Sequence, residues 1–426
     1  MSKVIFHDGE VNFRVLVRKL QLEAFRGFQG MNVELEDDLT VFISKNGGGK
    51  TTILDALWEG LSFLDKHVFR NNQRKSTLSA SDVKNGNEAS LISMVLDLTY
   101  KWFEEEEGEN MLITRDGESS IRIQGNIKSG FQEAEIIEAA PFHLKSITEY
   151  VRKAFRKYDG KPVFKYYHAS DEKKLGGQIN VDRLSEWINR RQKVLSQKDN
   201  RLFKLELKWV IDAVNHVLSD EEIHYSNLHI DYRTDGDYLA IQKNDREFSE
   251  QLTVSQLSSG EKTLLGLVSD LAISLIQANP DHGDDNNPLQ NGYGVVLIDE
   301  VGVHLHPSWQ RKVLPKLQGI FSNVQFIVTT HSPLVIGGIN QKQGRLIKNF
   351  RCLPIGPVEG RDASSILEDE FGEEERPHEY QEKLERFYRL LNDNKDEAET
   401  ILKDLKKIWG DKDEEIIRAE SYLDIF

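Results

Sequence analysis

Cysteine is nearly absent from the sequence: Cys352 stands alone among 426 residues. It has no partner for an intrachain disulfide and no metal-ligand spacing around it, which excludes a disulfide-stapled scaffold and fits a reducing cytoplasm. Long apolar runs are also missing. No stretch of about 18 apolar residues occurs, and the start lacks a basic, then apolar, then small-residue order, so neither a membrane span nor a secretory signal is expected. There is no repeat of fixed period and no low-complexity segment, which excludes solenoids. Positive charge is in deficit, with 55 Lys+Arg against 70 Asp+Glu and a net charge of -15. That balance argues against a protein coated by nucleic acid over its whole surface.

Hydrophobic residues at 38% and charged residues at 29% are an ordinary balance with ample material for a core. The charge is uneven. From Phe142 to Lys208 there are roughly 17 Lys/Arg against 8 Asp/Glu, and from Ala363 onward roughly 10 against 20. A basic middle and an acidic tail hide inside the average.

Val15–Leu22, Met31–Leu35 and Leu39–Ile43 read as strands, followed by a glycine-rich turn and a helix over Thr51–Leu64. Ala89–Tyr100, Met111–Arg115 and Ile121–Gln124 read as an antiparallel meander of three strands. The basic middle holds a short strand at Val163–His168 and helices, the longest near Leu202–Leu218. A hairpin near Leu228–Asp231 and Tyr238–Gln242 precedes a helix over Leu257–Gln277. Val295–Ile298 and Gln325–Thr330 are short, mainly apolar runs of the kind found in buried parallel strands. Beyond Pro357, Tyr380–Leu391 and Ala398–Trp409 each carry apolar residues on one helical face, with Pro377 and Gly410 as breaks.

Four segments carry chemistry. In Ser44-Lys-Asn46-Gly47-Gly48-Gly49-Lys50-Thr51-Thr52, a strand turns through small residues into a helix. Backbone N–H groups and the helix's positive end then face a phosphate chain, Lys50 supplies a point charge, and the Thr51 hydroxyl can ligate Mg²⁺. Ser44 stands where a first glycine is usual, a strain cost if that position needs positive φ. Val295–Glu300 ends a buried strand in two carboxylates: Asp299 for a metal shell and Glu300 for a general base. Leu257-Ser258-Ser259-Gly260-Glu261-Lys262 opens a helix; Ser258 and Glu261 also have capping-box spacing. His331, in Thr329-Thr330-His331-Ser332-Pro333, follows a buried strand. His304 and His306 lie just past the carboxylates and are not read as metal ligands. Gln73 lies in a loop and receives no role.

In this order the four segments resemble the motifs of ABC-type ATPases, in which two heads clamp two nucleotides. The resemblance implies that Ser258, Ser259, Gly260 and Glu261 of one head close over ATP held by another, and that His331 senses the γ-phosphate. Phe25-Arg26-Gly27-Phe28 resembles the start of SMC-like heads, where an arginine, here Arg26, approaches the nucleotide. The expected fold is therefore α/β: an ABC-type head with a mixed β-sheet, an antiparallel meander, a compact helical insertion and a helical C-terminal tail. Its parts are an N-terminal lobe over 1–140, a basic insertion over 141–225, a C-terminal lobe over 226–357 and an acidic tail over 358–426.

About 200 residues separate Lys50 from Leu257, without the sustained heptads of an SMC coiled coil. Only about 95 residues follow His331, with no Asp-x-Asp among them, unlike the Toprim tail of overcoming-lysogenization-defect nucleases. The signature, the His304-Leu-His306-Pro307 segment, Pro162–Ser170 and Gly360–Leu367 together resemble the PtuA-like ATPases of Septu and retron antiphage systems. That resemblance implies a bacterial, cytoplasmic homo-oligomer that uses ATP and Mg²⁺, is not tied to a membrane, and gates an HNH nuclease partner of the PtuB kind. It also brings in reverse transcriptase and msDNA or other nucleic acid as partners. Two rival expectations stand beside it: a binding module whose basic Phe142–Lys208 region contacts nucleic acid or a nucleic-acid-bearing partner with ATP setting affinity, and an SMC/RecF-like repair or recombination ATPase that binds DNA.

Overall fold

The computed structural model describes residues 13–45, 47–67, 69, 78–106, 109–126, 130–138, 160–168, 178–245, 248–279, 286–372, 376–391 and 393–425. Its contacts form two units, Met1–Gly360 and Arg361–Phe426.

The larger unit opens with β1 (Phe13–Phe25) and β2 (Phe28–Glu34), an antiparallel hairpin that buries Val15, Val17, Leu20, Leu22, Phe25, Phe28, Met31 and Val33. β3 (Leu39–Ile43) is buried throughout and leads into α1 (Lys50–His67). β4 (Ala89–Glu106), β5 (Glu109–Asn126) and β6 (Gly130–Glu138) complete an antiparallel sheet in the order β2-β1-β4-β5-β6. Here the sequence reading needs correction. Met111–Arg115 and Ile121–Gln124 are not two strands: the polar stretch between them stays in register with β4 and continues one long strand. Polar residues break periodicity, but they do not break a ladder whose backbone groups are all paired.

β7 (Val163–Tyr167) is followed by α2 (Gln178–Gln197) and α3 (Arg201–Leu218), so the longer helix of the insertion precedes the one read from sequence. β8 (His224–Arg233), β9 (Gly236–Asn244) and β10 (Ser249–Thr253) form a small antiparallel sheet, with β10 added to the expected hairpin. Then come α4 (Ser259–Ala278), β11 (Gly294–Ile298), α5 (Val313–Ile320), β12 (Val324–Thr330), β13 (Gly344–Lys348) and β14 (Arg351–Pro354).

The sheet that positions the site has the order β14-β13-β3-β12-β11-β7. From β13 to β7 every neighbouring pair is parallel, and only β14 runs the other way. The carboxyl ends of β13, β3, β12, β11 and β7 therefore share one edge, the place where ligands bind in open α/β sheets. The core lies between this sheet and the antiparallel one. It joins Leu20, Leu22 and Met94 to Ile53, Leu54, Leu57 and Leu61 of α1 and to Val295, Leu297 and Ile327.

Gln325 is fully buried at the start of β12. It accepts from Val17 N (2.8 Å) and donates to Val17 O (2.9 Å) and Glu36 O (2.7 Å). Val17 is where the β1–β4 register slips, so the amide satisfies backbone groups that the ladder leaves over.

In the smaller unit, Asp362 caps a turn at Ala363–Ile366 by accepting from Ser365 N at 2.9 Å, which explains those positions as structural. Three helices follow: α6 (His378–Leu390), α7 (Lys395–Trp409) and α8 (Glu414–Ile425). Their apolar stripes meet in a core of Leu384, Phe387, Leu391, Ala398, Leu402, Leu405, Ile416 and Ala419.

Candidate nucleotide site

The segment after β3 turns through Gly47 (φ +75°) and Gly49 (φ +96°), left-handed conformations that glycine reaches without strain. Gly48 needs glycine for a different reason: a Cβ there would sit 2.5 Å from Ser44 Oγ. Ser44 is not among the described residues with positive φ, so the conditional strain at that position does not arise. Its hydroxyl and carbonyl instead accept from Lys50 Nζ at 3.2 and 3.1 Å. Asn46 lies outside the described residues. Thr51 and Thr52 open α1.

Lys50 is 5% exposed, so its charge has to be matched locally. His331 Nε2 lies 2.7 Å from Lys50 Nζ and 2.8 Å from Glu300 Oε1, while Glu300 Oε1 is 3.4 Å from Lys50 Nζ. Burial draws the Lys50 ammonium below its ordinary pKa, although the carboxylates of Glu300 and Asp299 oppose it. Burial alone would raise Glu300. The hydrogen bond from His331 and the charge of Lys50 outweigh it, and the carboxyl sits below its ordinary value. Glu300 follows β11 with φ +55°, a strained conformation for a side-chain residue.

Asp299, buried at the end of β11, accepts from Thr51 Oγ1 at 3.0 Å and from Thr329 Oγ1 at 2.6 Å. Thr329 Oγ1 also accepts from the Glu300 backbone N–H at 2.7 Å. One hydroxyl at the end of β12 thus fixes both carboxylate residues. Sequence reading gave Thr329 no role; the signal was a hydroxyl residue at the end of a buried strand, two positions before the histidine. His168, just past β7, was also missed. Its Nδ1 stands 3.9 Å from Asp299 Oδ2.

Arg26 sits at the β1–β2 turn. Its guanidinium reaches Asp55 of α1 (2.5 Å) and Asp82 (2.7 Å), and Tyr166 donates to the same Asp55 at 3.0 Å. The arginine is thereby anchored one helical turn beyond Thr51.

Ser258 to Glu261 form a second cluster. Ser258 caps α4, and the capping box is present: Ser258 Oγ accepts from Glu261 N, and Glu261 Oε2 accepts from Ser258 N at 2.6 Å. Glu261 also accepts from Tyr225 OH and from Lys243 Nζ at 3.0 Å. A Cβ on Gly260 would lie 2.5 Å from His304 O, so the start of α4 rests directly on the backbone after β11. Ser259 and Glu300 line one cavity of about 360 Å³ between them. His306 accepts from Ser308 N, a local cap, and no cluster of metal-ligating side chains occurs among the described residues.

Burial would raise Glu261, but Tyr225, Ser258 and Lys243 outweigh it and hold the carboxyl at about 2. A depressed carboxyl contributes stability above its unfolded pKa, and that contribution fades as pH falls toward the folded value. Glu261→Gln is therefore expected to lower the melting temperature at pH 7, with the difference from wild type shrinking below about pH 4.5. A difference that is constant with pH contradicts this.

Residues 39–337 match the family model described as "AAA domain, putative AbiEii toxin, Type IV TA system". The chain is 28% identical to "Retron Ec83 probable ATPase" of Escherichia coli, over 95% of this chain and 86% of the relative. It is 25% identical to "Retron Vc95 probable ATPase" of Vibrio cholerae, over 84% and 79% respectively. It is 23% identical to "Septu protein PtuA" of Bacillus thuringiensis, over 90% and 91%. No described helix is long and apolar enough to cross a membrane. The family model covers more than half of the chain, and this chain belongs to that AAA-domain family, with the retron probable ATPases and the Septu protein PtuA among its relatives.

Proposed function

We propose that this chain binds and hydrolyses ATP as a subunit of an antiphage defence complex, and that nucleotide-dependent pairing of two heads gates a partner nuclease. The observation that carries the reading is the cluster of Lys50, Thr51, Asp299, Glu300 and His331, which the ends of three adjacent strands bring together.

A triphosphate entering at Gly47–Thr52 meets backbone N–H groups at the positive end of α1. Its charge exceeds that of a single carboxylate, so Lys50 shifts to the phosphate oxygens and leaves Glu300. Glu300, ionised and still held by His331, then takes the proton of the water that attacks the γ-phosphorus, as the bond to the β,γ-bridging oxygen breaks and that oxygen leaves with ADP. Thr51 and Asp299 bring hydroxyl and carboxylate oxygens together, and such hard donors suit Mg²⁺, which usually takes few ligands from protein. When bound there, Mg²⁺ supplies charge neutralisation on the phosphates. The Ser258–Glu261 turn of a second head completes the site, its helix end facing the γ-phosphate.

The rival reading, a binding module that contacts nucleic acid, draws on the basic 142–208 segment. Within its described residues Lys165 and Arg183 bind Asp270, Arg191 binds Glu206 and lies over Trp187, and Lys204 pairs with Asp199. Lys165, Arg183 and Arg191 thus balance buried carboxylates of the fold, while the Lys204–Asp199 pair lies exposed on the surface.

Co-purification with an HNH nuclease subunit tests the proposal. Expected is DNA cleavage only when the nuclease is present, altered by ATP and insensitive to ATP once Lys50 is alanine. Cleavage by this chain alone, or a complex indifferent to nucleotide, contradicts it; steeply salt-dependent DNA binding by the chain alone favours the rival.

A further inference from the structure

β13 and β14 are joined by two residues, Asn349 and Phe350, between the paired Lys348 and Arg351. Both have positive φ, +52° and +56°. A two-residue hairpin with both central residues left-handed favours Asn-Gly. Asn349 fits that rule. A phenylalanine in the second place breaks it, in a backbone conformation that L side chains rarely adopt, and leaves an aromatic residue 38% exposed. Local preference and burial both oppose this residue here, the kind of conflict found where a side chain serves a ligand.

Its position shows which ligand. Because β13 runs parallel to β3, the turn emerges at the same carboxyl edge as the phosphate loop. It lies on the opposite side of β3 from β12 and β11, which deliver His331, Asp299 and Glu300. The ring closes over the β1–β2 turn, where a Cβ on Gly27 would be 2.1 Å from Phe350 Cε1. It also reaches the phosphate loop, with Phe350 Cδ1 3.3 Å from a Cβ built on Gly49. Phe28 supports it edge to face, with ring centroids 5.3 Å apart. In the pose proposed above, with the γ-phosphate at Lys50 and Glu300, the side of the phosphate loop away from β11 and β12, where the nucleoside would extend, is the side of this turn.

The geometry points to Phe350 as the platform on which the purine base of the bound nucleotide stacks. This rests on the ATP reading of the loop. Every base presents a π face, and stacking on an aromatic side chain is worth enough to change affinity about tenfold or more. Phe350 is thus a specificity residue: it separates a nucleoside triphosphate from a bare polyphosphate.

Titration calorimetry in Mg²⁺ with two probes, ATP and inorganic tripolyphosphate, tests this on wild type, Phe350→Leu and Phe350→Tyr. Leucine keeps apolar bulk over Gly27 but removes the π face. Expected is an ATP affinity about tenfold weaker for Phe350→Leu, a tripolyphosphate affinity unchanged within about twofold, and near-wild-type ATP binding for Phe350→Tyr. Equal weakening toward both probes would mean that the ring only props up the phosphate loop, and would overturn the proposal; so would unchanged ATP binding by Phe350→Leu. A wild-type chain that binds neither probe overturns the ATP reading itself.

Discussion

Lys50→Ala is expected to weaken ATP binding about 10- to 100-fold while the chain stays folded. A charge-assisted hydrogen bond to an ionised partner contributes about 1.5–3 kcal/mol, and Lys50 is the cation that the phosphate loop folds around. Folding survives because Lys50 is itself an expense of the fold: burial depresses its pKa, and its neighbours only partly compensate. Its removal leaves Glu300 with His331 as its remaining close partner, so the carboxyl is expected to move back toward its ordinary value. Calorimetric titration with ATP and Mg²⁺ reads the affinity, and circular dichroism checks the fold. A dissociation constant equal to wild type would remove Lys50 from the site.

Glu300→Gln separates binding from chemistry. Glutamine keeps the shape and can still accept from His331, but it cannot take a proton from water. A positioned general base contributes about 10²- to 10⁴-fold, and turnover is expected to fall by that order while ATP affinity stays within a few-fold of wild type. Steady-state phosphate release and calorimetry on the same preparation supply both numbers. Equal turnover by wild type, Lys50→Ala and Glu300→Gln contradicts the assignment of both residues, because it would place hydrolysis elsewhere or in a contaminant.

The parts of this site that sequence made legible are those where one short segment carries both backbone and chemistry. Gly47–Lys50 announces its turn through residue types that tolerate left-handed φ, and Val295–Glu300 announces a buried strand ending in charge. The Ser258–Glu261 turn was legible as a cap, and the capping box is formed. What stayed hidden depends on distant pairing. Nothing local in Val163–Tyr167 tells that it lies beside β11, because parallel pairing such as Gly294 with Val163 leaves no mark in either segment. Thr329 and His168 acquire meaning only once β12 and β7 are set on either side of Asp299. Phe350 was invisible for a different reason: its turn breaks the residue preference by which such turns are recognised. The polar middle of β5 was misread because alternation was taken for the cause of a strand, when the cause there is the neighbouring strand.

The central claim is that the ATP site is half of a shared one, completed by Ser258–Glu261 of a second head. Light-scattering molar mass of the Glu300→Gln protein, with and without ATP and Mg²⁺ and with Ser258→Arg added, tests it most directly. The account predicts that ATP raises the mass of Glu300→Gln by joining heads, and that Ser258→Arg abolishes the increase while ATP still binds through Lys50. A mass that does not respond to bound ATP, or one that responds equally with Ser258→Arg present, would contradict the shared site.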